Sequence, residues 1–192
     1  MTLGTNNADQ ILVGNTGTLW KAPVGTTLPT SLAAPSAPFL SLGFISEDGP
    51  KFNFELTVKE IRAWQQRTAI DRRNDQENVS FEVALMEWDA KTLPAATGGT
   101  ISSPSPGIYK LTPAAVGSVN YGAYILDVHD GTYEHRFVFP RASISGNVSS
   151  NFKRGDASLL PVKIDAVASS DSTDAWYFLT NSPAFDLGVA GS

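Results

Sequence analysis

Two imidazoles and three carboxylates fall close together as Asp127, His129, Asp130, Glu134 and His135, and these are residue types that hold divalent metal ions. Asp130-Gly131 is a strong hairpin signal. A two-residue turn there sets His129 opposite Thr132, Asp127 opposite Glu134 and Ile125 opposite Arg136. In that register the two histidines lie on opposite faces of the ribbon, so no ion takes both without ligands from elsewhere. The reading is therefore structural, with one turn residue and one half-buried imidazole. Tyr124, Leu126, Val128, Tyr133, His135, Phe137 and Phe139 then share one face. Asp127 against Glu134 is a like-charge pair, which Arg136 partly relieves from a diagonal position.

Nucleophilic catalysis finds no footing. A Ser–His–Asp hydrolase wants its serine on a G-x-S-x-G elbow, whereas Ser145-Gly146 and Ser182-Pro183 are loop residues with nothing to activate a hydroxyl. Gly98-Gly99 stands in a Ser/Pro-rich stretch without the lysine of a phosphate loop. Glycosidase-type carboxylate pairs are decided by separation in space, and nothing in the sequence marks a pair out. No catalytic residue, metal ligand or cofactor is expected.

Charge gathers in one segment, Gln65 to Asn78, where Arg67, Arg72 and Arg73 stand beside Asp71, Asp75 and Glu77. Alternating signs cancel attraction to a phosphate backbone but suit register-setting ion pairs between identical neighbours. The segment reads as a contact loop, with a plain solvated loop and a nucleic-acid patch as the alternatives. Trp64 beside it reads as a core or seam aromatic, since a stacking platform wants more basic residues around it.

These residues must be placed by strands. Phe52, Phe54, Leu56 and Val58 alternate with Lys51, Asn53, Glu55, Thr57 and Lys59, and Val79, Phe81, Val83 and Leu85 alternate with Ser80, Glu82 and Ala84. A period of two marks strands with one buried and one wet face. Joined through the charged segment, they predict an extended antiparallel hairpin. Leu42 to Gly49 reads as a strand ending in an Asp48-Gly49 turn. Further strands are expected at 11–14, at 18–22 up to Pro23, at 108–111 and at 121–128. Others are expected after the Asp130-Gly131 turn up to Pro140, at 158–167 broken by Pro161, and at 175–179. Glu87 to Leu93 is the helix candidate, stopped by Pro94. Residues 23–38, 94–107 and 142–157 read as loops, the second of low complexity; 1–9 reads as a flexible arm and 181–192 as a short tail. About nine or ten strands with one short helix point to a mainly β chain, an antiparallel sandwich or barrel.

A chain of 192 residues is a comfortable single domain, taken here as 1–192. Its 42% apolar content argues against disorder. Charged residues at 17% are fewer than the roughly 25% of a typical domain, which suits a surface largely covered by neighbours. A net charge of −5 argues against a binder held by phosphate contacts. With no cysteine there is no disulfide framework or thiolate chemistry. The start, MTLGTNNADQ, shows no basic region followed by an apolar run, and no apolar run approaches the ~20 residues of a membrane span. The expectation is a chain used in solution, in or assembled in the cytoplasm.

Several of these stretches resemble the tail tube (major tail) proteins of long-tailed bacteriophages. They are Leu42-Gly43-Phe44-Ile45-Ser46-Glu47-Asp48-Gly49, Glu60-Ile61-Arg62-Ala63-Trp64-Gln65, the strand Val79 to Met86 closed by Glu87, and the opening Trp20 to Pro29. The resemblance covers residues 18–93 most closely, and none of its motifs carries chemistry. It implies a β-sandwich or barrel flanked by one helix, six copies of which form a ring whose long hairpins join edge to edge. Stacked rings would form the tube that conducts the genome into the host. Ring closure would remove the hazardous free edges of a long hairpin.

That reading implies a virion protein, assembled in the host cytoplasm. Its partners would be further copies of itself, tape-measure and tail-tip or terminator proteins, and DNA that passes without specific binding; no membrane is involved. The polar faces of the central strands, Asn53, Glu55, Thr57, Ser80 and Glu82, are the lumen candidates, an acidic and small-polar lining that gives DNA no counter-ion-releasing contacts. Lys51 and Lys59 share that face and would need Glu60, Glu82 or a neighbour's acids to neutralise them. Arg67, Asp71, Arg72, Arg73, Asp75 and Glu77 are the inter-subunit or inter-ring candidates. Two alternatives remain: a capsid cement or head-to-tail connector protein, and a carbohydrate-binding sandwich of the tail tip using exposed Trp64, Trp88 or Trp176.

Overall fold

A computed structural model describes residues 11–145, 148–169 and 174–186. The period-two stretches become strands in chain order: β1 Thr16–Ala22, β2 Leu40–Ser41, β3 Lys51–Ile61, β4 Asp71–Leu85, β5 Thr100–Ser105, β6 Ile108–Thr112, β7 Tyr121–His129, β8 Glu134–Ser145, β9 Leu160–Ala166 and β10 Tyr177–Thr180. One short helix, α1, spans Thr92–Thr97. The fold is mainly antiparallel β with a sandwich-like arrangement, as the sequence predicts.

The main sheet runs β2-β1-β7-β8-β9-β4-β3, with β10 also on β8, and β5-β6 form a separate ribbon. The chain after β2 comes back to the far side of this sheet. Ile45 bridges Leu85, Ser46 N donates to Ala84 O at 2.8 Å and Met86 N donates to Phe44 O at 2.9 Å. The sheet thereby curls round an inner core of Leu19, Leu42, Phe81, Leu85, Tyr124, Phe139, Leu160 and Ile164, into which α1 packs Ala95 and Ala96. Because side chains alternate, Ala22, Ala123, Ile125 and Val138 face the other way and make a second, outer core with Phe39, beside Leu28. Strands covered on both faces must read as near-continuous apolar runs, and Ala123 to Leu126 does.

Several expectations are corrected. Residues 11–14 are not a strand, and Ile11, Leu12 and Val13 stand exposed before β1. Leu42 to Gly49 is not a continuous strand, because Gly43 turns to φ +78° and leaves only the single bridge at Ile45. The turn at its end is present, with Gly49 N donating to Ser46 O at 3.0 Å. The helix begins where it was expected to stop. Asp89 Oδ1 accepts from the Lys91 and Thr92 N–H groups at 2.8 Å each, and Pro94 sits in the first turn, where its missing N–H has no intrahelical partner to lose. The predicted loop 94–107 is instead this helix plus β5, with Pro104 inside the register shift between Ser102 and Ser105.

Prolines fail as strand breakers twice more. Pro140 does not end its strand, since β8 continues to Ser145 and the shift between Gly122 and Tyr124 leaves room for an unpaired residue. Part of the expected loop 142–157 is therefore strand. Pro161 does not break β9, because β8 pairs only from Lys163 onward, so Pro161 needs a partner on one side alone. The β7–β8 turn is also longer than two residues. His129 faces Glu134, Asp127 faces Arg136 and Ile125 faces Val138, so the like-charge pair is replaced by an ion pair. The shift is by two, which keeps the histidines on opposite faces. The expected arm 1–9 and the tail beyond 186 lie outside the described residues; at 183–185 the tail makes a short 3-10 turn capped by Ser182.

Candidate functional site: the β3–β4 arm

β3 and β4 form the longest ribbon in the chain, eleven residues against fifteen. β9 pairs with β4 only from Ser80 to Leu85, so the rest of the ribbon projects beyond the sheet as an arm. At ~3.3 Å per residue β3 is about 36 Å long. β3 is the end strand of the sheet, and its outer edge has no strand beside it among the described residues. The predicted joining segment Gln65 to Asn78 is shorter than expected, because residues from Asp71 on are strand and the tip is 62–70.

One face of the arm is apolar. Phe52 packs on Phe81, Phe137 and Trp176 with ring centroids 5.3–5.4 Å apart, and Phe54 reaches Trp176 at 6.4 Å. Beyond them the cover ends, leaving Leu56 44% and Val58 45% exposed. The period-two reading foresaw a buried face, but the arm outruns the core that would bury it. Trp64 is fully exposed at the tip, so it is no core aromatic.

All five lumen candidates share the other face. Asn53 lies opposite Ser80, Glu55 opposite Asn78, Thr57 opposite Gln76 and Glu82 opposite Lys51. Asn53 Nδ2 donates to Glu82 Oε1 at 3.1 Å, and Lys51 Nζ is 3.6 Å from Glu82 Oε2. Ser80 is buried, Asn53 and Glu82 are half-buried, and Glu55 and Thr57 are exposed. The face continues onto β9, where Asp165 lies opposite Ser80 and Lys163 opposite Glu82, and onto β8, where Ser145 donates to Asp165. Sequence reading missed Lys163 and Asp165, although they alternate with buried Val162 and Ile164. The face is balanced in charge and not net acidic: Lys51, Lys59, Arg73 and Lys163 stand with Glu55, Asp71, Glu82 and Asp165. Lys51 has its acid in Glu82, whereas Glu60 serves Arg62 and Arg72 at 2.6 and 3.0 Å and not Lys59. The hydrogen bond from Arg62, and then its charge, holds the Glu60 carboxyl below the usual range.

The six contact candidates are not brought together. Arg67 is at the tip; Asp71 and Arg73 lie on the polar face and pair at 3.1 Å; Arg72 opposes Glu60 on the other. Asp75 has no cross-strand partner at the register shift between Thr57 and Val58. Glu77 opposes Leu56 and accepts from Trp176 Nε1 at 3.3 Å.

Away from the arm, His129 Nδ1 is 3.7 Å from Glu134, and His135 is buried with Nε2 3.5 Å from Asp130 Oδ2 and Nδ1 3.0 Å from Thr180 Oγ1. Among the described residues no three His, Cys, Asp or Glu side chains gather as a metal site, and no helix is long and apolar enough to cross a membrane. What the arm presents, among the described residues, is an unpaired edge, a bare apolar stripe and a polar face, which are means of association. Comparison with known families agrees: the family described as "Phage tail tube protein" matches residues 4–188. No curated protein matches the chain.

Proposed function

The chain belongs to the phage tail tube proteins, a structural family of the virion tail, and we propose that it polymerises as stacked hexameric rings into the tube that conducts the genome to the host. The observation that carries this reading is the β3–β4 arm, whose free edge and half-bare Leu56 and Val58 are hazards in a solitary chain. Side-by-side joining of arms around a ring removes both at once, and a contact that closes by rotation makes a ring of fixed size.

In this arrangement Asn53, Glu55, Thr57, Ser80 and Glu82 line the lumen, joined by Lys163 and Asp165. The lining works by balance and not by repulsion. Lys51 and Lys163 are held beside Glu82 and Asp165, at 3.6 and 3.4 Å, so a passing phosphate backbone displaces few counter-ions and gains little by stopping. Assembly takes place in the host cytoplasm on tape-measure and tail-tip proteins, with a terminator ending the tube. No catalytic step is involved.

Negative-stain electron microscopy of the concentrated protein tests the reading, with hollow tubes or stacked rings expected. A chain that stays monomeric at high concentration, and again when supplied with a tail-tip complex, would overturn it.

A further inference from the structure

The two ends of β3 carry features that fit each other. Its far end leads into the tip 62–70, whose only charged residues are Arg62 and Arg67 and whose Trp64 is wholly exposed, with Ile70 54% exposed behind it. Arg62 is held by Glu60, but Arg67 has no acid within ion-pair reach among the described residues. Its near end starts from Gly49-Pro50, which border a groove of about 580 Å³ between the beginning of β1 and residues 43–50.

The groove is acidic and roomy. Among the described residues Glu47 and Glu87 line it with no lysine or arginine, and Gly14, Gly17 and Gly43 keep its walls low. Phe44 stands 74% exposed on its border. β1 pairs with β2 only at Trp20 and Lys21, so from Thr16 to Thr18 its edge faces the groove with no neighbouring strand among the described residues. Ser46, which lines the groove, is 8% exposed, and its hydroxyl has no hydrogen-bond partner among the described residues.

Tip and groove lie at opposite ends of one strand, so a chain cannot reach its own groove with its own tip. A second copy displaced by one length of β3, about 36 Å, brings its tip to the groove of the first. We infer that this groove is the acceptor for the arm tip of a second copy, with Trp64 against Phe44 and the glycine-lined wall and Arg67 against Glu47. The contact is head-to-tail and leaves a free tip at one end and a free groove at the other, so it propagates along the strand direction. It rests on the tube reading and names the surface through which one ring takes hold of the next.

The absence of cysteine makes the test clean. Arg67→Cys and Glu47→Cys in one chain, assembled and then oxidised, should give a ladder of covalent multimers on a non-reducing gel, while either single variant gives at most dimers. In parallel, Arg67→Glu and Glu47→Arg alone should each cut the pelleted, stacked fraction about tenfold, the loss of one good contact, and the pair together should restore it. Trp64→Ala should leave rings that do not stack. If wild-type tubes form but the double-cysteine chain gives no ladder and both charge reversals stack normally, the tip–groove contact is wrong while the tube reading stands. A wild-type chain that never assembles removes both.

Discussion

Arg136 holds Asp127 through two parallel bonds, Nε to Oδ1 at 2.6 Å and Nη2 to Oδ2 at 2.9 Å, and both side chains are buried. Trp20 Nε1 adds a third donor to Asp127 at 3.0 Å. The remaining guanidinium nitrogen, Nη1, donates to the Ser31 and Ala33 carbonyls at 2.7 and 2.8 Å. One ion pair therefore joins β1, β7 and β8 and pins the proline-rich segment 23–38 over the outer core, helped by Tyr177 Oη donating to Pro29 O at 2.8 Å.

Removing one partner strands the other. Asp127→Ala should cost ~3–5 kcal/mol in urea unfolding, because the buried guanidinium loses its anion. The double variant Asp127→Leu with Arg136→Met should recover part of that loss while still freeing the 23–38 segment, seen as faster thermolysin cleavage within it. A single variant within about 0.5 kcal/mol of wild type would show that the pair contributes little.

This pair also shows where the sequence was legible and where it was not. The alternation in 121–139 identified both strands and both faces. The turn between them depended on Asp130, whose side chain accepts from the Thr132 and Tyr133 N–H groups at 2.9 and 2.6 Å and lengthens the loop. That side-chain turn and the buried ion pair favour the register together, and neither is visible in a dipeptide preference. The β3–β4 arm was legible as a hairpin from its period alone, yet its length was not, since Asp71 to Asn78 is too polar to read as strand. β-propensity reports half-burial, and an arm that leaves the body has none to report. On the polar face, Asn53, Glu55, Thr57, Ser80 and Glu82 came from the same alternation, whereas Lys163 and Asp165 were hidden behind Pro161.

Acid should loosen the β7–β8 turn. The two backbone donors, Tyr133 and then Thr132, hold the Asp130 carboxyl below its ordinary value of 3.8. A depressed carboxylate stabilises the fold fully above the unfolded value and loses that stabilisation as pH falls through the lower folded one. Protection of the Thr132 and Tyr133 amides should therefore fall below about pH 4, a step that Asp130→Asn, which cannot titrate, should not show. Protection at Thr132 and Tyr133 unchanged down to pH 2 would refute the assignment.

Gly43 is required by backbone and space. Its φ is +78°, and an added Cβ would meet the Glu87 carboxyl, whose Oε1 accepts from Phe44 N at 3.0 Å. Glu87 can swing aside, so Gly43→Ala should cost ~1–3 kcal/mol, mostly backbone strain, with the Phe44 bond lost as well. Glu87→Gln keeps an acceptor and should cost less. Equal stability of Gly43→Ala and wild type would mean that the turn relaxes freely.

The bare stripe of the arm should matter to assembly and not to folding. Leu56→Ser with Val58→Ser changes two half-exposed side chains, so thermal stability of the monomer should fall by less than about 1 kcal/mol. Ring formation should fail, since the double variant removes the apolar surface that adjoining arms would cover. Normal tubes from this variant in negative stain would place the ring contact elsewhere.

Charge on the polar face should govern transit and not assembly. Glu55 lies open opposite Asn78, and Glu82 is shared between Lys51 and Asn53. Reversing both to lysine removes two acids and adds two bases per chain on a face where the signs now balance, and a ring multiplies the change by its copy number. Each uncompensated lysine is a new phosphate contact, and affinity for DNA rises with the number of counter-ions released. Phage carrying Glu55→Lys with Glu82→Lys should therefore build tubes of normal length yet deliver DNA poorly, with the defect eased as salt is raised. Asn53→Ala, which alters a bond to Glu82 without altering charge, separates the electrostatic effect from a local structural one. Unchanged infectivity of the double reversal at low salt would take these residues out of the DNA path.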